Sequence, residues 1–250
     1  MIILKTSKQL SIMKEAGRIS ANALKIAGKA VEPGVTTFEI DKIIRNYIES
    51  MGAKPSFLGY GGFPASACIS VNNVVIHGIP SKSCVLKEGD IVSIDVGACF
   101  EGFHGDNAFT FPCGKISAEA QALIDATYQS LLLGIEQAKK GNRIGDISYA
   151  VQKYAEARNY SVVRDFVGHG VGAKLHEDPS VPNFGTPGRG PRLTSGMTIA
   201  IEPMINAGTY EVEILDDEWT TVTKDGKLSA HFEHSVAITE DGPIILTLAD

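Results

Sequence analysis

Five side chains with metal-binding chemistry stand among apolar or glycine neighbours. Burying an unpaired carboxylate is costly, so acids in such settings are normally paired, hydrogen-bonded or bound to a metal. Four carboxylates that meet in one place would repel one another, and two divalent cations would neutralise them. In two-metal sites the ions lie roughly 3.5–4 Å apart. We therefore expect a two-metal site built from Asp95, Asp106, His169, Glu202 and Glu233.

The expected ligand set is rich in oxygen and contains no thiolate. Structural zinc sites commonly use cysteine, so this set argues against one. Carboxylates with a single imidazole favour Co, Mn or Fe(II), with Zn and Ni as further candidates. Taken singly, each residue also has an ordinary interpretation, as an exposed acid at a strand end or a hydrogen-bonded core histidine.

Strands are predicted to carry these acids. Asp95 follows the apolar run Ile91–Ile94, and Asp106 lies eleven residues after Asp95. The glycines between the two acids are typical of a hairpin that returns beside the first strand. Glu202 ends a second apolar run of the same kind.

Two amphipathic helices are predicted ahead of the first strand. Thr6 with Gln9, and Thr36 with Glu39, can each form a capping box at a helix start. The first helix is predicted to bury a face whose members are spaced by three and four residues. That face consists of Ile12, Ala16, Ile19, Ala23 and Ile26.

The same pattern returns in the second half of the chain. Ser117 is predicted to cap a helix that runs to Gly141, and Asp146 to open the next one. The segment Leu193–Glu202, which lies 107 residues after Leu86–Asp95, repeats the pattern of that earlier segment: a glycine, an apolar strand and a carboxylate at its end. We interpret this match as an internal duplication, although chance matching of common residue types is the alternative. The sequence thus predicts one α+β domain over residues 1–250, with halves of roughly 1–113 and 114–250 and both strand-end acids at the centre.

The composition narrows the class of protein. The chain has 250 residues, 44% hydrophobic and 21% charged, which is typical of a globular domain. A net charge of −6 argues against binding nucleic acid through its phosphates. No apolar run approaches the roughly 18 residues of a membrane span, and the apolar N-terminus is too short for a signal peptide. We expect a cytoplasmic protein whose four cysteines are buried free thiols.

Seven motifs follow one another in order along the chain. They are Cys68–Pro80, Ser93–Gly97, Gly102–Asp106, Gly168–Gly172, His176–Gly185, Gly196–Met204 and His231–Ile238. With these motifs the chain resembles the type I methionine aminopeptidases over almost its whole length. The resemblance implies the pita-bread fold, in which two pseudo-twofold halves share a central antiparallel sheet with helices outside.

The resemblance also implies roles for individual residues. The five ligands would hold two metal ions, with Asp106 and Glu233 bridging them. Glu202 would act as general base, His176 would stabilise the oxyanion, and His77 would contact the scissile amide nitrogen. The substrate-binding residues would be Tyr60, Phe63, Cys68, His77, His176 and Trp219, and a monovalent cation would bind at Asn72, Val74 and Ser229.

The implied substrate is the N-terminal methionine of nascent polypeptides, followed by a small residue. A transient encounter with the ribosome and a monomeric state are also expected, without membrane binding. Gly61, Leu175 and Phe57 depart from the family's common pattern near the pocket, which puts kinetics and second-residue preference in doubt.

Three other functions use the same fold. A proline-specific aminopeptidase or dipeptidase shares the five ligands but carries an additional N-terminal domain of comparable size. A binding protein without catalysis would have lost metal ligands, and a metal-independent hydrolase such as creatinase would not need them. The intact ligand set argues against the last two functions, and we expect 250 residues to leave no room for the additional domain of the proline-specific enzymes. Methionine aminopeptidase therefore remains the expected function.

Overall fold

A computed structural model describes all 250 residues, which form antiparallel sheets flanked by four helices. The helices are α1 Ser7–Lys29, α2 Thr37–Ser50, α3 Ala118–Gln137 and α4 Ile144–Glu156. The strands are β1 Lys54–Pro55, β2 Ala67–Val71, β3 Val74–Ile76, β4 Ile91–Phe100, β5 Phe103–Pro112, β6 Ser161–Val162, β7 Gly168–Gly170, β8 Glu177–Val181, β9 Thr198–Ile201, β10 Met204–Asn206, β11 Val212–Ile214, β12 Thr221–Thr223, β13 Ser229–His231, β14 Glu233–Thr239 and β15 Gly242–Ile245. The predicted α+β class is confirmed. None of the four helices combines the length and the apolar run that a membrane crossing requires.

The predicted helix starts rest on local hydrogen bonds. The Thr6 N–H donates to the Gln9 side chain at 2.9 Å, and the Thr36 N–H donates to the Glu39 carboxylate at 2.8 Å. In both cases the threonine hydroxyl accepts the N–H of the third helical residue, so both capping boxes are confirmed. The Ser117 hydroxyl caps α3 in the same way.

Three details of the helix predictions were wrong. Helix α4 begins at Ile144 rather than Asp146, because the Asp146 carboxylate caps the turn from inside by accepting the Arg143 N–H at 2.7 Å. Helix α3 ends at Gln137, before the predicted Gly141. Ile26 lies on the exposed side of α1, because the buried face is centred on its smaller residues.

The largest sheet has the order β1-β4-β5-β14-β9-β7-β8, with β2 also paired to β4 and β15 to β14. The predicted hairpin is confirmed as β4 and β5, whose turn is Glu101–Gly102. Asp95, however, lies in mid-strand rather than at a strand end. Pairing of β4 with its neighbours on both sides carries the strand five residues further, to Phe100.

Small residues bring α1 into contact with the sheet. A Cβ atom on Gly105 of β5 would lie 2.4 Å from the Gly17 backbone nitrogen, so only glycine permits this approach. Helices α1 and α2 cover β2 and β4, while α3 and α4 cover strands of the second half. Phe109 packs against both hydrophobic clusters and joins them.

The four cysteines are free thiols, as predicted. Two of them are buried, Cys68 and Cys113. The prediction that all four are buried was wrong, since Cys84 and Cys99 are half-buried in loop and hairpin positions.

Corresponding hydrogen bonds occur in both halves of the chain. The Gly34 N–H donates to the Leu86 carbonyl at 2.8 Å, and the Gly141 N–H donates to the Leu193 carbonyl at 3.0 Å. Both glycines have a φ of 94°, a left-handed conformation that favours glycine. In the sheet, β5 and β14 are central, with β4 and β9 outside them. On this basis we propose that a duplication produced the two halves.

Candidate active site

All five expected ligands line one cavity of about 170 Å³. The remaining lining is mostly aromatic or apolar, with two further histidines near the acids. The full set is Phe57, Tyr60, Phe63, Cys68, His77, Asp95, Asp106, His169, Leu175, His176, Glu202, Trp219 and Glu233.

Sheet order explains how residues so far apart in sequence meet. Asp95 and Glu233 both lie opposite Ala108 of β5, one from each side. Asp106 is two residues from Ala108, so the strand alternation directs its side chain to the same face. His169 comes from β7, and Glu202 directly follows β9, the strand between β7 and β14. Five neighbouring strands therefore deliver one ligand each.

The acids lack the partners that buried carboxylates require. Three buried oxygens have no hydrogen-bond partner, Asp95 Oδ1, Asp106 Oδ1 and Glu233 Oε1. Potential ligand atoms of Asp106, His169 and Glu233 lie within 4.8 Å of one another. Unpaired buried acceptors are costly, and cations would satisfy them. This donor set fits divalent cations.

Electrostatics supports the same interpretation. Burial raises the pKa of Asp106 to about 7, and burial together with neighbouring carboxylates raises the pKa of Asp95 and Glu233 well above the usual range. Burial lowers the pKa of His169 to about 3, so its imidazole is neutral and has a free lone pair. The acids therefore cannot all ionise at neutral pH unless cations are bound.

Glu202 lies between two imidazoles. Its Oε1 is 3.5 Å from His169 Nε2, and its Oε2 is 3.6 Å from His231 Nε2. Its backbone carbonyl accepts a hydrogen bond from the Asn183 side chain at 2.9 Å. Burial raises the pKa of Glu202 well above the usual range. No role was predicted for His231, because in sequence it resembles an ordinary core histidine.

His176 lies at the mouth of the cavity. Its Nδ1 and the Tyr60 hydroxyl are 2.7 Å apart, and its ring centroid is 4.1 Å from that of His169. Burial lowers the pKa of His176, which favours the neutral ring. The hydrogen bond to Tyr60 fixes the ring's direction and leaves Nε2 as the other polar atom.

His77 occupies a strained backbone position on the opposite wall. Its φ is 59°, and such strain in a non-glycine residue is concentrated at functional sites. The ring packs edge-on against Phe166 and Trp219, at centroid distances of 5.6 and 6.1 Å. Burial and then the nearby His176 lower the pKa of His77 to about 4.

The closed end of the cavity is apolar. Phe63 and Trp219 meet edge to face at 5.1 Å, and Cys68 is buried beside them. Burial raises the pKa of the Cys68 thiol well above its usual range, so the thiol stays protonated. Phe57 and Leu175, two of the departures from the family pattern, are buried in the same wall.

Gly61 and the expected monovalent-cation residues lie outside the cavity lining. Gly61 is in a 3-10 turn with a φ of 57°, where a Cβ atom would lie 3.3 Å from the Trp219 ring. The Ser229 N–H donates to the Asn72 carbonyl at 2.9 Å, so these two expected ligands are neighbours. Val74 begins β3 close by in sequence.

Comparison with known proteins shows the family and the fold of this chain. The model of Metallopeptidase family M24 matches residues 11–240. The methionine aminopeptidase of Clostridium perfringens is 58% identical over 248 residues, covering 99% of both chains. The crystal structure of methionine aminopeptidase from Thermotoga maritima has a TM-score of 0.97 and 45% identity, with 99% of each chain covered. The prolidase of Pyrococcus horikoshii, at 22% identity and a TM-score of 0.80, shares the fold over all of this chain but only 65% of its own length. The predicted pita-bread fold is confirmed by these similarities.

Proposed function

Since this chain belongs to metallopeptidase family M24, we propose that it hydrolyses the peptide bond that follows an N-terminal methionine. The observation that most supports this proposal is that one cavity combines unpaired buried carboxylates with an aromatic, apolar end. The acids provide a site for cations, and the apolar end provides contacts for a thioether side chain. Full-length similarity to methionine aminopeptidases supports this choice over proline-specific enzymes, which share only the fold.

Two divalent cations would be held by Asp95, Asp106, His169, Glu202 and Glu233, all of which line the same cavity. The oxygen-rich donor set favours Co, Mn or Fe(II), with Zn and Ni as further candidates. Such cations lower the pKa of bound water to roughly 7 and polarise carbonyl groups. The unpaired oxygens of the acids support this assignment.

The chain's own side chains then move protons and stabilise charge. Glu202 accepts the proton of the attacking water. His176 donates a hydrogen bond to the oxygen of the scissile carbonyl as that oxygen becomes negative, and the Tyr60 hydroxyl keeps its ring in position. His77 contacts the nitrogen of the scissile bond. A positioned donor of this kind is typically worth a factor of about 100–1000 in kcat.

Substrate selection follows from the cavity's shape and chemistry. The methionine side chain packs against Tyr60, Phe63, Cys68 and Trp219, whose aromatic rings and thiol favour contact with sulfur. A small second residue, such as glycine, alanine or serine, belongs to the same proposal. The natural substrates are nascent polypeptides in the cytoplasm, met during a transient encounter with the ribosome.

A monovalent cation bound by oxygens of Asn72, Val74 and Ser229 belongs to the same proposal. The direct hydrogen bond between the Ser229 N–H and the Asn72 carbonyl supports it, because it brings two of the three donors together. We also propose that the chain acts as a monomer, since all five expected ligands and both expected histidines meet in one cavity without a residue from a partner.

The test is hydrolysis of Met-Gly-Met-Met after reconstitution with Mn, Fe(II) or Co. An Ala-Pro peptide is assayed in parallel, together with the variants Glu202→Gln and Glu213→Gln. Glu213 is exposed on β11, so its amide variant controls for the change from acid to amide. We expect metal-dependent methionine release that Glu202→Gln abolishes and Glu213→Gln retains. Cleavage of the Ala-Pro peptide alone would assign the chain to the proline-specific branch, and no methionine release would refute the proposal.

A further inference from the structure

The imidazole of His231 is a buried polar group without a partner. The residue is 2% exposed, and its Nε2 makes no hydrogen bond. Leaving a buried donor or acceptor unsatisfied is destabilising, so such an atom in a folded protein calls for an explanation. The nitrogen faces Glu202 Oε2 at 3.6 Å, just beyond hydrogen-bonding distance.

The backbone of His231 holds this ring in place. Thr110 of β5 accepts the His231 N–H at 3.0 Å and donates its hydroxyl to the His231 carbonyl at 2.8 Å. Thr110 also pairs with Ser93 of β4. On the other side, His231 lies opposite Met204 of β10, two residues after Glu202. The backbone of His231 is therefore held from two sides.

The two oxygens of Glu202 are divided between two imidazoles. His169 faces Oε1 and lines the cavity, whereas His231 faces Oε2 and lies behind the cavity lining. His231 is thus placed to act on Glu202 and not on a substrate. The oxygens of an ionised carboxylate only accept hydrogen bonds, so the nitrogen that faces Oε2 is the one that must carry hydrogen.

We propose that His231 is a positioning residue that donates a hydrogen bond from Nε2 to Glu202 Oε2 when the site is loaded, and so fixes the direction of this carboxylate. The inference rests on the proposed role of Glu202 as ligand and base. The present separation fits this role, because hydrogen bonds in active sites are often long without ligands and tighten in the loaded complex. Partners of this kind typically contribute a factor of about 10–100 in metal affinity or activity.

The test compares two substitutions of similar size. His231→Leu removes the donor, while His231→Gln retains an amide nitrogen near the position of Nε2. We expect His231→Leu to lower kcat by about 10–100-fold with little change in KM, and to weaken metal affinity by a similar factor. His231→Gln should restore most of both losses. The melting temperature of the metal-free His231→Leu protein should equal or exceed that of the wild type, because an unsatisfied buried group has been removed.

Metal affinity, measured by competition with a chromophoric chelator, separates this inference from the proposed function. If the wild type releases no methionine, the function fails, yet weaker metal binding by the leucine variant with recovery by the glutamine variant would still support positioning. Wild-type kcat and metal affinity in His231→Leu would overturn the inference. Equal losses in both variants, accompanied by a lower melting temperature in each, would reveal a purely structural role and would also overturn it.

Discussion

Lys5 and Glu177 form an ion pair that is shielded from water next to His176. Their side chains are 3% and 4% exposed, and the Lys5 ammonium also donates to the Ile3 carbonyl at 3.0 Å. The Glu177 carboxylate accepts a further bond from the Lys174 N–H at 3.1 Å. The pair connects residues 1–6, which precede helix α1, to the segment that contains His176.

Replacing Lys5 by methionine should be strongly destabilising. Removing one member of a buried pair leaves an uncompensated charge and typically costs about 3–5 kcal/mol. For a chain of this size that corresponds to a fall in melting temperature of roughly 6–20 °C, since 1 kcal/mol shifts it by about 2–4 °C. The double variant Lys5→Met with Glu177→Leu should recover most of the loss, because well-packed apolar replacements of a buried pair are often neutral or stabilising.

The loss of stability caused by Lys5→Met should depend on pH. In the wild type, burial opposes ionisation of Glu177, but the hydrogen bonds from Lys5 and from backbone N–H groups keep its pKa below the usual value. A lowered folded-state pKa gives stability that is present above the unfolded-state pKa and lost as pH falls through the folded-state value. Without Lys5, burial dominates and the pKa rises. The difference in stability between Lys5→Met and the wild type should therefore be largest at pH 7. It should decrease towards pH 4, where the Glu177 carboxyl of the variant is protonated.

Thermal unfolding at pH 4, 5.5 and 7 provides the assay, with kcat measured on the metal-loaded protein. Lys8→Met is the matched control, since Lys8 is exposed near the start of α1. A Lys5→Met protein as stable as the control at pH 7 would refute the reasoning. A double variant less stable than Lys5→Met alone would show that the pair contributes more than charge compensation.

Four further predictions concern metal binding, pH dependence, packing and substrate contact. Chelation of divalent cations should lower the melting temperature by roughly 5–11 °C when the free ion had been at 100 times its Kd, a loss of about 2.7 kcal/mol. Because burial raises the pKa of Asp106 to about 7, above its unfolded-state value, the metal-free protein should lose stability as pH rises through that value, and a pH series of melting curves with and without chelator tests this. Gly17→Ala should cost about 1–3 kcal/mol by denaturant unfolding, since its Cβ would lie 2.3 Å from the Leu246 carbonyl oxygen, whereas Ser11→Ala on the exposed face of α1 should not. Trp219→Ala should raise KM for methionyl peptides roughly tenfold or more with little change in kcat, because about 1.5–3 kcal/mol of apolar contact is lost. An unchanged KM would exclude this wall as the methionine site.

Much of the site was predictable because each ligand sits in a short, distinctive motif. The sequence predicted that Asp95, Asp106 and Glu202 lie in or next to apolar strands, and the structure brings them together in one cavity with the expected histidines. Their roles stay predictions until the variants are measured. His231 was missed because a buried histidine in sequence resembles any hydrogen-bonded core histidine, and only its unpartnered nitrogen distinguishes it.

Helix starts were predicted well, whereas helix ends and strand lengths were not. A capping box such as Thr6 with Gln9 is a hydrogen-bond pattern within four residues, so the local sequence contains all of it. The end of β4 depends instead on strands β1, β2 and β5 pairing with it, and these pairings are not local. That is why Asp95 was expected at a strand end and lies in mid-strand.

The sequence by itself determined the α+β class and predicted the repeat at 107 residues and the five candidate metal ligands, because periodicity, capping and motif spacing are properties of neighbouring residues. Only the tertiary structure decided that five adjacent strands deliver those side chains to one point, that Lys5 pairs with Glu177, and that His231 faces Glu202. The physical reason is that strand pairing and tertiary packing bring together groups that are far apart in sequence, such as Lys5 and Glu177 across 172 residues, and contacts across such separations have no local signature.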